Sequence, residues 1–278
     1  MWAFINNQFV TVDQAVLPVS DLSIQRGYGV FDFFRTAEHV PLFIDHHLDR
    51  LRHSASVLRL QLPYNNVELK NIVRELIRKN SLSSSGIRIT VTGGNAIDTY
   101  TPTTPNLIIT QSTLTMDAAF DPSKGLHLIT EEYVRELPTV KSINYLMGVY
   151  LQQKVKDSGA SDVLYVKNGF ISELPRSNVF VVTTDNKLLT ANEHVLYGIT
   201  RNHILQIATS VLEVKEQPVS LTDVLNAKEV FVSSTTKRLL PVFSVNGNKV
   251  GNGNTGTVTT DLYQRFLEME HQFIKKGW

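Results

Sequence analysis

The chain has no cysteine among its 278 residues. Disulfide bonds, thiolate catalysis and cysteine-bound metal sites are therefore excluded, and the composition is compatible with a reducing compartment. An excess of charge of one sign is also missing, because 27 basic and 26 acidic residues leave a formal net charge of +1. Without a broad basic surface, neither nucleic acid nor an anionic membrane surface is an expected partner.

Long apolar runs are absent as well. The first seven residues combine no basic segment with a long apolar stretch, and no later stretch approaches the length of a membrane span. We therefore expect a soluble, cytoplasmic protein. Hydrophobic residues still make up 42% of the chain, which suffices for sizeable cores. The length predicts about two domains.

The pattern of residues 1–113 predicts an N-terminal α/β domain. It begins with a hairpin at Asn6-Asn7, a strand over 29–35, and a helix that starts near Asp45 with that side chain as its cap. The remaining expected elements are a helix and two strands, at 67–79, 87–92 and 106–113.

Residues 114–122 are predicted to form a linker, and residues 123–278 a second α/β domain. A strand is expected over 126–132, and a helix from Leu146 that stops at Gly159. The other expected elements are hairpins at Asn168-Gly169 and Asp185-Asn186, helices over 200–212, 221–226 and 259–275, and a strand over 229–233.

Two residues have the chemistry of a carbonyl cofactor site. Lys141 has apolar neighbours at Val140 and Ile143, and partial burial lowers the pKa of a lysine enough for its amine to form a Schiff base. Taken alone, such a lysine is more typical of ordinary solvated surface. A buried Glu173 would need a positive partner, such as a protonated ring nitrogen.

Two turns carry the donors of an anion site. In residues 197–201 a glycine turn precedes a predicted helix, so backbone N–H groups, the helix dipole and the Thr200 hydroxyl can converge on a phosphate. Thr200 could instead simply cap the helix. Residues 233–236 follow a strand end and offer further hydroxyl and amide donors, although polar turn residues alone also explain them.

Arg50 lies on a predicted helix whose other face is apolar. Its planar guanidinium could bind a phosphate through two hydrogen bonds. The alternative is a surface ion pair with Asp49 or another neighbouring carboxylate. His46 and His47 have the chemistry of metal ligands, but adjacent helical residues point in different directions, so we expect no metal site.

Together these segments resemble class IV (fold type IV) pyridoxal-phosphate-dependent aminotransferases, the family of branched-chain aminotransferases, D-amino acid aminotransferases and aminodeoxychorismate lyases. The resemblance covers nearly the whole chain in the right order. It rests on residues 26–32, 47–51, 141–146, Glu173 with 177–180, 198–201 and 233–236.

The resemblance implies pyridoxal 5′-phosphate as the cofactor. Lys141 would bond its carbonyl carbon and then move a proton between the substrate Cα and the cofactor. Glu173 would pair with the ring nitrogen and Tyr145 with the phenolic oxygen. The phosphate would be held by Arg50, Ile199, Thr200 and Thr235.

The resemblance also implies a fold of the α/β (α+β) type with two domains. The cofactor would lie at the domain interface and be bound mainly by the C-terminal domain, 123–278. Members are usually homodimers whose active sites are completed across the subunit interface. The expected substrates are small molecules, an amino acid and a 2-oxo acid.

Four residues bear on the choice of substrate by the same resemblance: Phe31, Arg35, Arg88 and Thr236. Arg35 and Arg88 match two arginines of the branched-chain enzymes, although both could be structural. The spacing from Lys141 to Asn144 is one residue shorter than in those enzymes and resembles the D-amino acid and lyase branches. Those two branches carry an arginine where this chain has Gly93-Gly94.

We therefore predict an aminotransferase that moves an amino group between an amino acid and a 2-oxo acid by a ping-pong mechanism. A branched-chain or other apolar L-amino acid is the expected donor. The first alternative is a 4-amino-4-deoxychorismate lyase, which eliminates pyruvate. The others are a D-amino acid aminotransferase and a non-catalytic binding protein of the same fold, which would be expected to have lost Lys141 or Glu173.

Overall fold

The computed structural model describes residues 1–116 and 120–278. Of the predicted linker 114–122, Asp117, Ala118 and Ala119 lie outside the described residues. The described chain forms a mixed α/β fold with two sheets, which confirms the predicted fold class. Its contacts divide it into two compact units. Unit 1 comprises Met1–Met116, Val140–Asn144 and Gln272–Trp278, and unit 2 comprises Asp117–Thr139 and Tyr145–His271.

Unit 1 contains a six-stranded antiparallel sheet in the order β2-β1-β6-β5-β3-β4. Two helices, α2 and α3, bury Leu48, Leu51, Leu69 and Leu76 in the same core as Ile89 of β5. The elements of this unit are β1 (Trp2–Ile5), β2 (Gln8–Thr11), α1 (Leu22–Arg26), β3 (Gly29–Ala37), β4 (Val40–Pro41), α2 (Ile44–Val57), α3 (Asn66–Asn80), β5 (Ser85–Thr92) and β6 (Leu107–Thr113).

A side-chain cap explains where α3 begins but not where α2 begins. Asn65 and Glu68 form a reciprocal capping box at the start of α3. The predicted cap of α2 is wrong, because the helix begins one residue earlier, at Ile44, after Phe43 in the left-handed region. Asp45 therefore lies inside the first turn, where it forms an ion pair with Lys70.

The segment Val140–Asn144 pairs with β3, although it comes from a distant part of the sequence. The Phe31 N–H donates to the Lys141 carbonyl at 2.9 Å, and the Ile143 N–H donates to the Gly29 carbonyl at 3.0 Å. Val140 is fully buried in the core of unit 1. These contacts assign the segment to unit 1, whereas the sequence placed it within the second domain.

Unit 2 contains a mixed sheet in the order β13-β12-β11-β15-β16-β7-β8-β9-β14, with β10 paired to β11 and β17 paired to β16. The pairs β7–β8, β7–β16 and β12–β13 are parallel. The strands are β7 (Leu126–Glu132), β8 (Asp162–Lys167), β9 (Phe170–Ile171), β10 (Glu173–Leu174), β11 (Ser177–Val182), β12 (Lys187–Thr190), β13 (Glu213–Glu216), β14 (Val219–Ser220), β15 (Glu229–Ser234), β16 (Arg238–Val245) and β17 (Asn248–Lys249).

The remaining helices are α4 (Leu146–Tyr150), α5 (Gln152–Asp157), α6 (Ile199–Ala208), α7 (Leu221–Leu225) and α8 (Thr257–Lys276). The single helix predicted to end at Gly159 is therefore two segments that meet at Leu151. Helix α6 also ends earlier than predicted. Within the described ranges, no helix combines the length and apolarity required to cross a membrane.

The predicted hairpins are confirmed. Asn168 and Gly169 have φ values of 51° and 80°, as a type I′ turn between β8 and β9 requires. The sequence did not predict β16, because Pro241 lies inside it and proline usually argues against a central strand. The strand accommodates Pro241 next to an irregularity in its pairing with β7, between Val242 and Ser244.

Candidate active site

Lys141 is fixed through both polar groups of its backbone. Its N–H donates to the Ser54 Oγ of α2 at 3.1 Å, and its carbonyl accepts from Phe31. The half-buried side chain places Nζ 4.7 Å from the centroid of the Phe31 ring. The Arg88 guanidinium carbon lies 3.6 Å from the centroid of the same ring. Lys141, the candidate nucleophile, and Arg88, a candidate carboxylate-binding cation, therefore lie against the same ring.

A buried cluster of charged groups joins β3 to α2 in the same unit. Asp32, fully buried, accepts from Arg50 Nε and Nη2 at 2.8 Å each and lies 2.7 Å from His47 Nδ1. Burial alone would raise the pKa of Asp32, but the charges of Arg50 and His47 outweigh it and hold the pKa well below its usual range.

The same cluster lies within the electrostatic reach of the candidate nucleophile. Burial lowers the pKa of His47, Asp32 opposes this effect, and the charges of Arg50 and Lys141 lower the pKa further. Two of the three guanidinium nitrogens of Arg50 donate to Asp32. Nη1 makes no hydrogen bond to the described chain. Arg50 thus has a partner on β3, not the neighbouring Asp49, and retains one donor for an anion.

Glu173 lies at the start of the β10–β11 hairpin and is buried. Its Oε1 accepts from Arg135 Nε at 2.8 Å and pairs with Arg135 Nη2 at 2.6 Å. Its Oε2 accepts from the Leu196 N–H at 2.9 Å and lies 3.5 Å from Asn178 Nδ2. The positive partner that the sequence required for Glu173 is therefore supplied by the protein itself, as Arg135.

The N-terminus of α6 has the geometry of an anion site. Gly198 is the N-cap residue in an extended conformation, and no side chain caps the helix. The N–H groups of Ile199 and Thr200 make no hydrogen bond to the described residues. Simple capping by Thr200 is therefore not what this helix uses. A Cβ at Gly198 would lie 2.2 Å from Asn178 Oδ1, which explains the glycine.

The turn between β15 and β16 adds hydroxyl groups to unit 2. Ser233 pairs with Asn178 across the strands, and its buried Oγ has no hydrogen-bond partner in the described chain. Thr235 is half-buried, and Thr236 is exposed. The pairing brings this strand end to the strand that carries Asn178, beside Glu173 and the start of α6.

Two further predicted residues have different surroundings. Tyr145 is the N-cap residue of α4 and is half-buried. Arg35 is buried on β3, with 4% of its surface exposed.

His47 is buried against Asp32, whereas His46 is exposed. In the part of the chain that the structure describes, no group of His, Asp and Glu residues could hold a metal ion.

The sequence alone did not identify four residues that orient the candidate site groups. These are Ser54, Arg135, Asn178, and Asp32, whose carboxylate accepts from Arg50. Each acts through a contact from a different element, so no local spacing marks it. One signal pointed to a residue such as Arg135, because a buried Glu173 requires a cation as its partner. Several arginines could have met that requirement.

A model of the class IV aminotransferases matches residues 29–245. A D-alanine aminotransferase of Listeria monocytogenes is 31% identical to the chain, with 96% of each covered. A putative branched-chain-amino-acid aminotransferase of Methanocaldococcus jannaschii is 29% identical, covering 97% of this chain and 96% of that one. The solved branched-chain aminotransferase of Escherichia coli superposes with a TM-score of 0.88 at 28% identity, covering 97% and 94% of the two chains.

Proposed function

The chain belongs to the class IV aminotransferases, which depend on pyridoxal 5′-phosphate, and from this membership we propose which residues hold the cofactor and which substrates it serves. The protein is thus a pyridoxal-phosphate-dependent transaminase. The cofactor supplies an electron sink for the negative charge that develops at the substrate Cα. The side chains must bind this group, orient it and move protons beside it.

The donor set of the structure fits a phosphate. Ile199 and Thr200 offer backbone N–H groups without acceptors at a helix N-terminus, where the helix dipole favours an anion. Arg50 offers Nη1, and the buried Ser233 Oγ has no partner in the described chain. We assign the phosphate to Arg50, Ile199, Thr200 and Thr235, with Ser233 as an added donor.

Glu173 and Tyr145 are assigned to the ring. Glu173 Oε2 accepts from the Leu196 N–H at 2.9 Å and lies 3.5 Å from Asn178 Nδ2, and we assign this oxygen to a protonated ring nitrogen. Arg135 holds the other oxygen in an ion pair of 2.6 Å. Tyr145 would donate to the phenolic oxygen.

Lys141 is assigned as the residue that bonds the cofactor and then carries the proton at the substrate Cα. The observation that supports an amino acid substrate most directly is the shared ring of Phe31, which Lys141 Nζ and the Arg88 guanidinium both contact. A guanidinium at that position can bind the substrate carboxylate through two hydrogen bonds. Arg35 and Thr236 are further candidates for substrate contacts.

We propose a D-amino acid such as D-alanine as the first donor to test. Relatives of that name share 29–31% identity with the chain, and the short spacing from Lys141 to Asn144 resembles that branch. A branched-chain or other apolar L-amino acid is the second candidate. It is supported by Arg35 and Arg88, which match the branched-chain enzymes, and by the likeness to the Escherichia coli structure.

We further propose that the protein functions as a homodimer. In unit 1, Val16, Val19, Ile97 and Tyr100 expose from 70% to 101% of their surface. Two contacts join the segments that carry them, because the Ala96 N–H donates to the Ser20 carbonyl and Asp21 pairs with Asn95. A second copy would remove this apolar surface from water. Light scattering of the purified protein tests the assembly, and Val19→Asp should weaken it.

Single-turnover half-reactions test the function. The cofactor-loaded protein is mixed separately with D-alanine, L-leucine and 4-amino-4-deoxychorismate, while cofactor absorbance and pyruvate are followed. Amination of the cofactor by D-alanine or by L-leucine identifies the donor class. Pyruvate released from aminodeoxychorismate without a lasting change in absorbance would instead favour the lyase. Lys141→Ala should abolish every half-reaction, and unchanged turnover in that variant would refute the assignment.

A further inference from the structure

Unit 2 holds two cations that the proposed mechanism does not use. Lys237 lies in the β15–β16 turn, and its side chain is only 23% exposed. Its Nζ donates to Ser177 Oγ at 3.1 Å, at the start of β11. Arg176 is the exposed residue that precedes Ser177 in the β10–β11 turn. Both residues thus lie where the ends of two site-bearing strands meet.

Asp162 is the carboxylate that pairs with Lys237, and it does so at long range. Asp162 Oδ2 lies 3.8 Å from Lys237 Nζ, which is longer than a charge-assisted hydrogen bond. The other oxygen of Asp162 accepts from the Val163 N–H at 2.9 Å. Arg176 makes no hydrogen bond or ion pair with the described residues. Within the described chain, Lys237 therefore has one long-range ion pair, to Asp162, and Arg176 has none.

Burial makes this arrangement unfavourable without an anion. Burial lowers the pKa of Lys237, Asp162 opposes this effect, and the charge of Arg176 lowers the pKa further. An anion bound between the two cations would relieve their repulsion and replace the lost hydration of the ammonium group.

The position of the two cations suggests which anion they bind. Lys237 belongs to the same turn as Thr235, which we assign to the phosphate. Ser177, its hydrogen-bond partner, immediately precedes Asn178, which contacts Glu173 and pairs with Ser233. The cations therefore adjoin the residues assigned to the cofactor, where a substrate must come.

We propose that Lys237 and Arg176 form a carboxylate-binding subsite for the amino acid and 2-oxo acid substrates, an assignment that rests on the proposed function. Because Arg88 is the candidate for the α-carboxylate, the group bound here is the side-chain carboxylate of a dicarboxylic substrate. Lys237 donates from the wall of the site, and Arg176 completes the site from the exposed turn.

A purely structural role makes a different prediction. If Lys237 only clamps β11 to the β15–β16 turn, its removal should loosen cofactor binding and lower stability, with no selective effect on carboxylates. Lys237→Met removes the charge and retains much of the apolar stem. Lys156→Met makes the same change on α5, at an exposed lysine that makes no hydrogen bond or ion pair with the described chain, and serves as the matched control.

The experiment combines kinetics with calorimetry on the cofactor-loaded protein. KM and kcat are measured with alanine and glutamate of the accepted configuration. The unreactive acids propanoate and glutarate are titrated calorimetrically. Lys237→Met should weaken carboxylate binding by about 10- to 100-fold, as expected for a hydrogen bond to a charged group, with a much smaller change in kcat. Lys156→Met should behave like the unmodified protein.

The pattern of loss identifies the carboxylate. A loss confined to glutarate and glutamate supports the side-chain carboxylate, and an equal loss for propanoate and glutarate would overturn this assignment. Arg176→Ala should show the same pattern, and its exposed side chain has no contact whose loss would disturb folding. Carboxylate affinities unchanged in both variants would overturn the subsite. If no amino acid aminates the cofactor of the unmodified protein, the proposed function is refuted. The calorimetric titrations still test the subsite in that case, because they need no turnover.

Discussion

Asp32→Asn should lower the free energy of unfolding by about 3 kcal/mol, the lower end of the range for breaking a buried ion pair. The carboxylate accepts from Arg50 twice, from the Phe33 N–H at 2.8 Å, and contacts His47. An asparagine amide in its place would direct its NH₂ group at a donor. The Arg50 side chain is 10% exposed, so water moderates the penalty and favours the lower end.

The loss should be the same at pH 6 and pH 8. Because Arg50 and His47 depress the pKa of Asp32 in the folded state, the stabilisation is fully present above the ordinary aspartate pKa of about 3.9. It declines only as the pH falls below that value toward the folded pKa. Both pH values lie above this window.

Tryptophan fluorescence during urea unfolding is the appropriate assay. The chain contains two tryptophans, Trp2 and Trp278, and both belong to unit 1, which also holds Asp32. Asp45→Asn is the matched control, because that carboxylate is 61% exposed and its ion pair with Lys70 should contribute less than about 1 kcal/mol.

A double-mutant cycle with Arg50→Met isolates the interaction. Once the guanidinium is absent, Asp32→Asn should cost less, and the coupling energy should be about 2 kcal/mol. A loss below about 1 kcal/mol, or strict additivity of the two substitutions, would refute the view that this cluster fixes α2 to β3.

Three other predictions follow. Asn65→Ala removes one half of a capping box and should lower stability by about 1 kcal/mol in urea unfolding, and no loss would contradict the cap. Gly198→Ala forces Asn178 aside, so cofactor affinity should fall in a spectral titration, with a structural penalty of about 1–3 kcal/mol. Arg135→Met leaves Glu173 without its cation, so the spectral pKa of the bound cofactor should rise; an unchanged value would refute a role for Arg135 in setting the basicity of Glu173.

Local chemistry made much of the fold predictable. The Asn168-Gly169 hairpin is a signal contained within a few residues, and the structure confirms it. The N-terminus of α6 was predictable for the same reason, because the first N–H groups of a helix lack intrahelical acceptors and Gly198 has no side chain to cap them.

Contacts between distant segments explain the failures. Nothing near Asp32 in the sequence specifies that it binds Arg50 and His47, and nothing near Glu173 singles out Arg135. The predicted cap at Asp45 was wrong because Phe43, which follows β4 in the left-handed region, precedes the helix, so the helix begins at Ile44 without a side-chain cap.

The pairing of Val140–Asn144 with β3 has a consequence for engineering. The position of Lys141 depends on backbone groups of Gly29 and Phe31, which belong to the first part of the chain. A chimera that exchanged residues 1–116 between two relatives would therefore pair the lysine segment of one relative with the β3 strand of the other. Successful grafts should transfer the five-residue lysine segment together with β3, as one discontinuous module.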